Sequence, residues 1–192
     1  MTESLFVTRY LDRLQETIRS FDWSPVVTLA SDIHACWNDG RQLFLCGNGG
    51  SAANAIHLAN DLLYGIAKPH GLGLKVTALP ANPSVLTCLA NDTSYTEIFS
   101  RQLAVLGEPG DLLLVLSGSG NSPNVVEAIR QARKQRMKSY AILGFDGGEC
   151  RSAADVAIHF PVEDMQVCED LQMIVGHIVM QRLYELRPKK SE

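Results

Sequence analysis

Two pairs of residues in this sequence combine a histidine with a carboxylate at a spacing that suits a helix. His57 and Asp61 are four residues apart, so they would share one face of a helix. Glu169 and His177 are eight residues apart and fall roughly on one face of a later helix. Imidazole and carboxylate groups bind zinc-type divalent ions, and they also donate and accept protons. These residues predict a metal site, an acid–base site or both, although each pair alone is also typical of solvated side chains.

The second pair carries a geometric difficulty. Eight residues of helix rise about 12 Å, so Glu169 and His177 do not easily reach one ion from the same rigid helix. Two solutions stay open at this point. The side chains lean towards each other, or the ligands come from more than one subunit.

A glycine-rich turn precedes the first histidine. Leu43–Cys46 is a short apolar run typical of a buried strand, and Gly47-Asn-Gly-Gly50 predicts a tight turn after it. Ser51 stands where the N-cap of the next helix is expected, and that helix carries His57. Free backbone N–H groups at a helix N-terminus bind anions. The turn therefore predicts an anion site around Gly49 and Gly50.

A serine-rich loop follows a second apolar run. Leu112–Leu116 is typical of a strand buried on both faces, and the loop spans residues 117–122. Its hydroxyls and freed backbone N–H groups bind a phosphate without a fixed positive charge. Such a loop is as often a plain turn, but two loops at corresponding strand ends are more specific, and they are expected to face one ligand. The residues concerned are Ser117, Gly118, Ser119 and Ser122.

Two other phosphate sites fit the first loop less well. The loop partly matches the Gly-x-Gly-x-x-Gly/Ala fingerprint of dinucleotide-binding proteins, but that site needs an acid at the end of the second strand. Here the second strand ends Thr77-Ala-Leu-Pro80, without an acid. A Walker A loop is excluded because no Gly-Lys-Ser/Thr follows. A phosphorylated small molecule is the better ligand.

Apolar strands alternate with amphipathic helices along the chain, which predicts an α/β fold with a parallel sheet and right-handed crossovers. At 192 residues the chain is expected to be a single domain, residues 1–192, with an N-terminal helical extension over about residues 1–40. The predicted strands are Leu43–Cys46, Leu74–Leu79, Leu112–Leu116, Ser139–Leu143 and Val156–Phe160.

Composition argues against several classes of function. A net charge of −4 and a pI near 5.7 give no basic surface for nucleic acid. No apolar run approaches the roughly 20 residues that span a bilayer, and no signal peptide is expected. The five scattered cysteines favour reduced thiols in the cytoplasm. Cys46 and Cys88 are interpreted as core residues, and His34 and His159 as structural ones.

Several motifs, taken in order, resemble one family of known proteins. They are Gly47-Asn-Gly-Gly-Ser-Ala52, His57, Leu89-Ala-Asn-Asp92, Ser117-Gly-Ser-Gly-Asn-Ser-Pro-Asn124 and Gly144-Phe-Asp-Gly-Gly148. Together they resemble the SIS (sugar isomerase) family, and its phosphoheptose isomerase branch most closely. The resemblance covers nearly the whole chain. It implies a three-layer, doubly wound, five-stranded parallel sheet and a homotetramer with active sites between subunits.

The resemblance also implies roles for individual residues. Asp61 and His177 would be the catalytic acid–base pair. A divalent ion, zinc in that branch, would be held by His57, Asp61, Glu169 and His177. The residues expected to bind the sugar phosphate are Asn48, Gly49, Gly50, Ser51, Asn91, Asp92, Ser117, Gly118, Ser119, Ser122 and Glu169.

The implied activity is aldose–ketose isomerisation, from sedoheptulose 7-phosphate to glycero-manno-heptose 7-phosphate, for lipopolysaccharide or capsule heptose. The reaction passes through an enediolate, which needs a base, a group that manages the hydroxyl proton and positive charge at the oxyanion. Three departures from the branch bear on the substrate: Asp61 replaces a glutamate, Glu169 a glutamine, and Gly65 an arginine. Two alternatives remain, a non-catalytic SIS protein that binds the replication initiator DnaA and a sensor that binds a sugar phosphate. Metal content distinguishes them from an enzyme.

Overall fold

A five-stranded parallel sheet forms the centre of the structure, a computed structural model that describes residues 5–68 and 71–187. The strand order is β2-β1-β3-β4-β5, and every neighbouring pair is parallel. Each strand begins and ends within one residue of its predicted bounds, which confirms the expected sheet. The strands are β1 (Gln42–Cys46), β2 (Lys75–Ala78), β3 (Leu112–Ser117), β4 (Lys138–Leu143) and β5 (Val156–His159).

Helices cover both faces of the sheet. Among the described residues they are α1 (Leu5–Ser20), α2 (Ser24–Asn38), α3 (Gly49–Leu63), α4 (Pro83–Asp92), α5 (Ser100–Leu106), α6 (Pro123–Lys134), α7 (Gly148–Ala153) and α8 (Met165–Leu186). None of these helices is long and apolar enough to cross a membrane.

The core divides into two clusters, one on each face of the sheet. Successive side chains of a strand point to opposite faces. Leu112, Leu114 and Leu116 of β3 accordingly join the cluster that contains α2, α3 and α8, whereas Leu113 and Val115 join the cluster that contains α5 and α6. The sheet between two helical layers is the three-layer, doubly wound arrangement that the family resemblance implies. Of the N-terminal helices, α2 contributes buried residues to this core and α1 contributes none.

The strand order also determines where a ligand can bind. The chain passes from β1 outward to β2 and then returns to β3 on the other side of β1. Such a reversal opens a crevice between β1 and β3, at the carboxyl ends of these two strands. The glycine-rich turn follows β1 and the serine-rich loop follows β3, so both predicted anion-binding loops border this crevice.

Candidate active site

Three of the four predicted metal ligands meet at one point. Nε2 of His57 lies 3.3 Å from Oδ2 of Asp61, and Nε2 of His177 lies 3.6 Å from the same oxygen. The two Nε2 atoms are 3.4 Å apart. Both histidine side chains are about half exposed, and Asp61 is more enclosed. We call His57, Asp61 and His177 the metal cluster, because their ligand atoms all lie within 4.8 Å of one another.

These separations suit a tetrahedral ion. Two ligands that each lie about 2.0–2.1 Å from a tetrahedral zinc ion are about 3.3 Å apart. The distances within the metal cluster run from 3.3 to 3.6 Å. Two imidazole nitrogens and one carboxylate oxygen are also a donor set that zinc accepts, with a further position left for water or substrate. The three residues therefore fit the implied ion.

Close packing of α3 against α8 brings the cluster together. The two helices run in the same direction, since Ser51 contacts Gln172 near their starts and Leu58 contacts Gly176 further along. A Cβ atom on Gly176 would lie 2.1 Å from Cδ2 of Leu58, so no larger residue fits unless the buried Leu58 side chain or the helices shift. His177 is the residue after Gly176, and its side chain faces His57.

Glu169, the fourth predicted ligand, does not join the metal cluster. It lies near the other end of the paired helices, where a Cβ atom on Gly50 would be 2.2 Å from its Oε1 and 2.6 Å from its Oε2. Its backbone carbonyl accepts a hydrogen bond of 3.0 Å from Nδ2 of Asn54. The separation follows from the axial rise of about 12 Å over eight helical residues. In the single chain, Glu169 borders the predicted anion site.

Gly65 stands just beyond the last turn of α3, in a 3-10 turn over Gly65–Ala67. A Cβ atom there would lie 3.0 Å from Cε of Met180 and 4.0 Å from Oδ1 of Asp61. A longer side chain at this position would need Met180 to move. Gly65, which stands where the phosphoheptose isomerase branch is expected to have arginine, therefore packs closely against Met180 beside the metal cluster.

The first turn of α3 differs from its prediction in one respect. The helix begins at Gly49 and its N-cap is Asn48, so the expectation that Ser51 is the N-cap is wrong. Asn and Ser are comparable N-cap residues, and the sequence offers both within four positions. Ser51 lies instead in the first turn, buried, where Oγ accepts a hydrogen bond of 2.9 Å from Nε2 of Gln172.

The serine-rich loop keeps hydroxyl groups available for an anion. Oγ of Ser117 accepts from the backbone N–H of Gly120 at 3.0 Å, and Oγ of Ser119 accepts from the backbone N–H of Asn121 at 3.3 Å. In both bonds the hydroxyl is the acceptor, so its own hydrogen remains free to donate. Ser122 is the N-cap of α6, and its side chain makes no capping hydrogen bond. Gly118 lies beneath Met165, whose Sδ would be 2.4 Å from a Cβ atom there.

Two buried amide side chains complete the site, and the sequence motifs predicted no role for either. Gln172 is 1% exposed, and it joins α8 to α3 because Oε1 also accepts from Nδ2 of Asn54 at 3.0 Å. Asn124 is fully buried and exchanges two hydrogen bonds of 2.8 Å with Asn48. The sequence does contain a signal for such residues, namely a polar residue at a helical position that faces the core. A buried amide needs hydrogen-bond partners, so a residue of this kind indicates a buried polar contact.

Asn91 and Asp92 lie at the end of α4, both exposed. Nδ2 of Asn91 donates to Oδ1 of Asp92 at 2.8 Å, which holds the pKa of Asp92 below its usual value. In the described part of the chain, neither residue is hydrogen-bonded to the two loops or to the metal cluster. Cys88 on the same helix is exposed, so its interpretation as a core residue is wrong for the single chain: α4 buries none of its residues.

The remaining predicted structural residues keep that role. Cys46 is fully buried at the end of β1, as expected. A ring nitrogen of His34 lies 3.3 Å from Nδ2 of Asn38 within α2. Nε2 of His159 at the sheet edge lies 2.9 Å from the backbone oxygen of Phe145. Neither histidine contributes to the metal cluster.

Comparison with known proteins identifies the family to which the chain belongs. A family model described as the SIS domain matches residues 7–144. A phosphoheptose isomerase from Chlorobaculum parvum is 40% identical over 177 residues, which cover 90% of this chain and 83% of that protein. The structure of a phosphoheptose isomerase from Neisseria gonorrhoeae superimposes with a TM-score of 0.85 at 29% identity, covering 94% of this chain and 95% of that one.

A second solved structure, a phosphoheptose isomerase from Francisella tularensis, has the same fold. Its TM-score is 0.88 at 24% identity, over 96% of this chain and all of that one. The fold, the two loops at the strand ends and the extent of these matches lead to one conclusion: the chain belongs to the SIS domain family and, within it, to the phosphoheptose isomerases.

Proposed function

We propose that this protein interconverts sedoheptulose 7-phosphate and glycero-manno-heptose 7-phosphate, with a zinc-type divalent ion bound by the metal cluster. The observation that carries the proposal is the pairing of two sites along α3. The metal cluster lies towards the C-terminal end of this helix, and the anion loops border its N-terminal end. The relatives are named phosphoheptose isomerases, which supports the same substrate class.

The length of α3 between these sites suits the substrate. His57 follows Gly50 by seven positions, which corresponds to about 10 Å along the helix. An extended seven-carbon sugar carries its phosphate and its reacting carbons at opposite ends, at a comparable separation. A phosphate at the loops therefore leaves C1 and C2 near the metal cluster.

The two loops bind the phosphate through uncharged donors. Ser119 and Ser122 contribute hydroxyl groups, and the first turns of α3 and α6 contribute backbone N–H groups. Fixing the phosphate at this point orients the reacting carbons, and such positioning lowers the barrier by reducing the entropy lost at the transition state.

Asp61 is the base in this proposal. Its Oδ2 faces both imidazoles, and Oδ1 accepts a hydrogen bond of 3.4 Å from Nδ2 of Asn60. A carboxylate oxygen has a further lone pair, with which Oδ1 takes the proton from one carbon and returns it to the neighbouring carbon. His177 turns Nε2 to the cluster, so Nδ1 is the atom that exchanges the proton of the substrate hydroxyl. A bound divalent ion supplies positive charge beside the oxygen that becomes negative.

A homotetramer with active sites between subunits, in the cytoplasm, is part of the proposal. Several apolar side chains of the single chain face outward, including Phe6 of α1, Val27 of α2 and Ile178 of α8. A groove of about 500 Å³ between α2 and α8 adds apolar surface beside His34. Contiguous apolar surface of this kind supports association of copies. Light scattering on the purified protein should give four times the chain mass of 21.0 kDa.

The decisive experiment follows deuterium from D2O into sedoheptulose 7-phosphate, with added zinc and with a chelator. Label next to the carbonyl, with the aldose appearing and both lost in chelator, supports a metal-assisted isomerase. Saturable binding of the sugar phosphate without label would instead favour the sensor. Absence of sugar binding, with capture of purified DnaA, would favour the adaptor.

A further inference from the structure

Asn48 is held by three hydrogen bonds at the point where β1 passes into α3. Its Oδ1 accepts from Nδ2 of Asn124 at 2.8 Å and from the hydroxyl of Tyr95 at 3.1 Å. Its Nδ2 donates to Oδ1 of Asn124 at 2.8 Å. The amide oxygen thus uses both of its lone pairs, whereas the amide nitrogen uses one of its two hydrogens.

These bonds also join the two anion loops. Asn48 is the N-cap of α3, and Asn124 is the second residue of α6. Because their side chains are paired, the N-termini of the two helices are fixed next to each other at the crevice. A phosphate between them can meet the backbone N–H groups of both helices.

We infer that Tyr95 and Asn124 are positioning residues for phosphate, because they orient the Asn48 amide so that its nitrogen, not its oxygen, is left to meet the anion. The inference rests on the proposed sugar-phosphate site and assigns residues that act within it. An amide that rotates by half a turn exchanges a donor for an acceptor, and an acceptor repels a phosphate oxygen. Rotation of the Asn48 amide alone would set its nitrogen against Nδ2 of Asn124 and its oxygen against Oδ1 of Asn124. The Tyr95 hydroxyl would at the same time lose the oxygen to which it donates.

The two positioning residues differ in burial, which decides how each can be tested. Tyr95 is 62% exposed, so Tyr95→Phe removes one hydroxyl from the surface and leaves the fold intact. Asn124 is fully buried, so its substitution also affects folding. Asn48→Asp keeps an oxygen towards the Tyr95 hydroxyl and Nδ2 of Asn124. It replaces the amide nitrogen with a second acceptor, so that both the free N–H and the bond to Oδ1 of Asn124 are lost. Tyr184→Phe, which removes an exposed hydroxyl at the end of α8, is the matched control.

The experiment measures three quantities on the zinc-loaded protein: the Kd of inorganic phosphate by calorimetry, the Kd of zinc, and KM and kcat with the sugar phosphate. Tyr95→Phe should weaken phosphate binding about three- to tenfold, as loss of one hydrogen bond does. KM should rise by the same factor with kcat unchanged, because the interaction lies away from the reacting carbons. Asn48→Asp should abolish phosphate binding. Zinc affinity should stay constant in every variant, and Tyr184→Phe should match the wild type.

Equal phosphate affinity in Tyr95→Phe and the wild type would overturn the inference. So would a fall in kcat with unchanged KM, which would place Tyr95 in the chemical step. The phosphate measurement needs no turnover. If the wild type binds phosphate and Tyr95→Phe weakens that binding, but the wild type does not isomerise the heptose, the proposed function fails and the inference stands.

Discussion

Leu58 and Gly176 are in contact where α3 and α8 approach most closely, so that a Cβ atom on Gly176 would lie 2.1 Å from Cδ2 of Leu58. Each residue is the chain neighbour of a metal-cluster histidine, His57 on one helix and His177 on the other. The separation of 3.4 Å between the two Nε2 atoms therefore depends on the size of a residue that carries no functional group.

Gly176→Ala should weaken zinc binding and destabilise the fold together. The added methyl group overpacks the helix contact, which costs about 1–3 kcal/mol, and moves His177 away from His57. Urea unfolding and zinc calorimetry measure the two effects. Gly71→Ala is the control, because a Cβ atom there meets nothing within 4 Å. Unchanged zinc affinity in Gly176→Ala would contradict the dependence of the cluster on this contact.

His177→Ala should lose isomerase turnover by at least about 100-fold, since general acid–base groups contribute 10²–10⁴-fold. The side chain is half exposed, so thermal unfolding should change little. Turnover at the wild-type rate in His177→Ala would remove this residue from the mechanism.

Glu169→Gln should bind zinc as tightly as the wild type, because the carboxylate lies against Gly50 and apart from the metal cluster. His57→Ala, which removes one of three converging ligands, should lose most of the affinity. Calorimetry with zinc alone measures both without any substrate. The exposed Glu163→Gln controls for the change in net charge. A tenfold loss in Glu169→Gln would show that this side chain turns to the ion, as the family resemblance implies.

One thiol per chain should react rapidly with Ellman's reagent in the native protein. Cys88 is exposed, whereas Cys36, Cys46, Cys150 and Cys168 are buried. Burial raises the pKa of Cys36 and Cys150 to about 12, so these thiols also carry little reactive thiolate. Cys88→Ser should abolish the rapid phase. The hydrogen bond from Sγ of Cys88 to Oδ2 of Asp92 raises the pKa of this thiol, so the reaction is followed at alkaline pH. Absence of a rapid phase there would mean that a second copy covers α4.

The sequence predicted the sheet well because the strands are short apolar runs bounded by turn residues. It also placed both loops correctly, since they follow β1 and β3 directly. The hydrogen bonds of the buried amides could not be predicted from the sequence, because their partners are distant along the chain. Asn48 and Asn124 are 76 positions apart, and Ser51 and Gln172 are 121 apart.

The metal cluster shows the same division. The helical spacing of His57 and Asp61 predicted that these two side chains share one face. The axial rise over eight residues showed that Glu169 and His177 do not easily reach one ion, but it left open how they would do so. That His177 rather than Glu169 faces His57 depends on how α8 slides along α3. The contact of Gly176 with Leu58 is part of this register, and a lone glycine in an apolar helix gives no sign of its partner.

Both outer strands of the sheet, β2 and β5, are only four residues long. Unpaired backbone groups on an outer strand invite pairing with another chain, and short outer strands limit that risk. Growth by sheet extension, the route to fibrous aggregates, is therefore disfavoured in this protein. The proposed association of copies is therefore expected to use helix surfaces, such as the groove between α2 and α8.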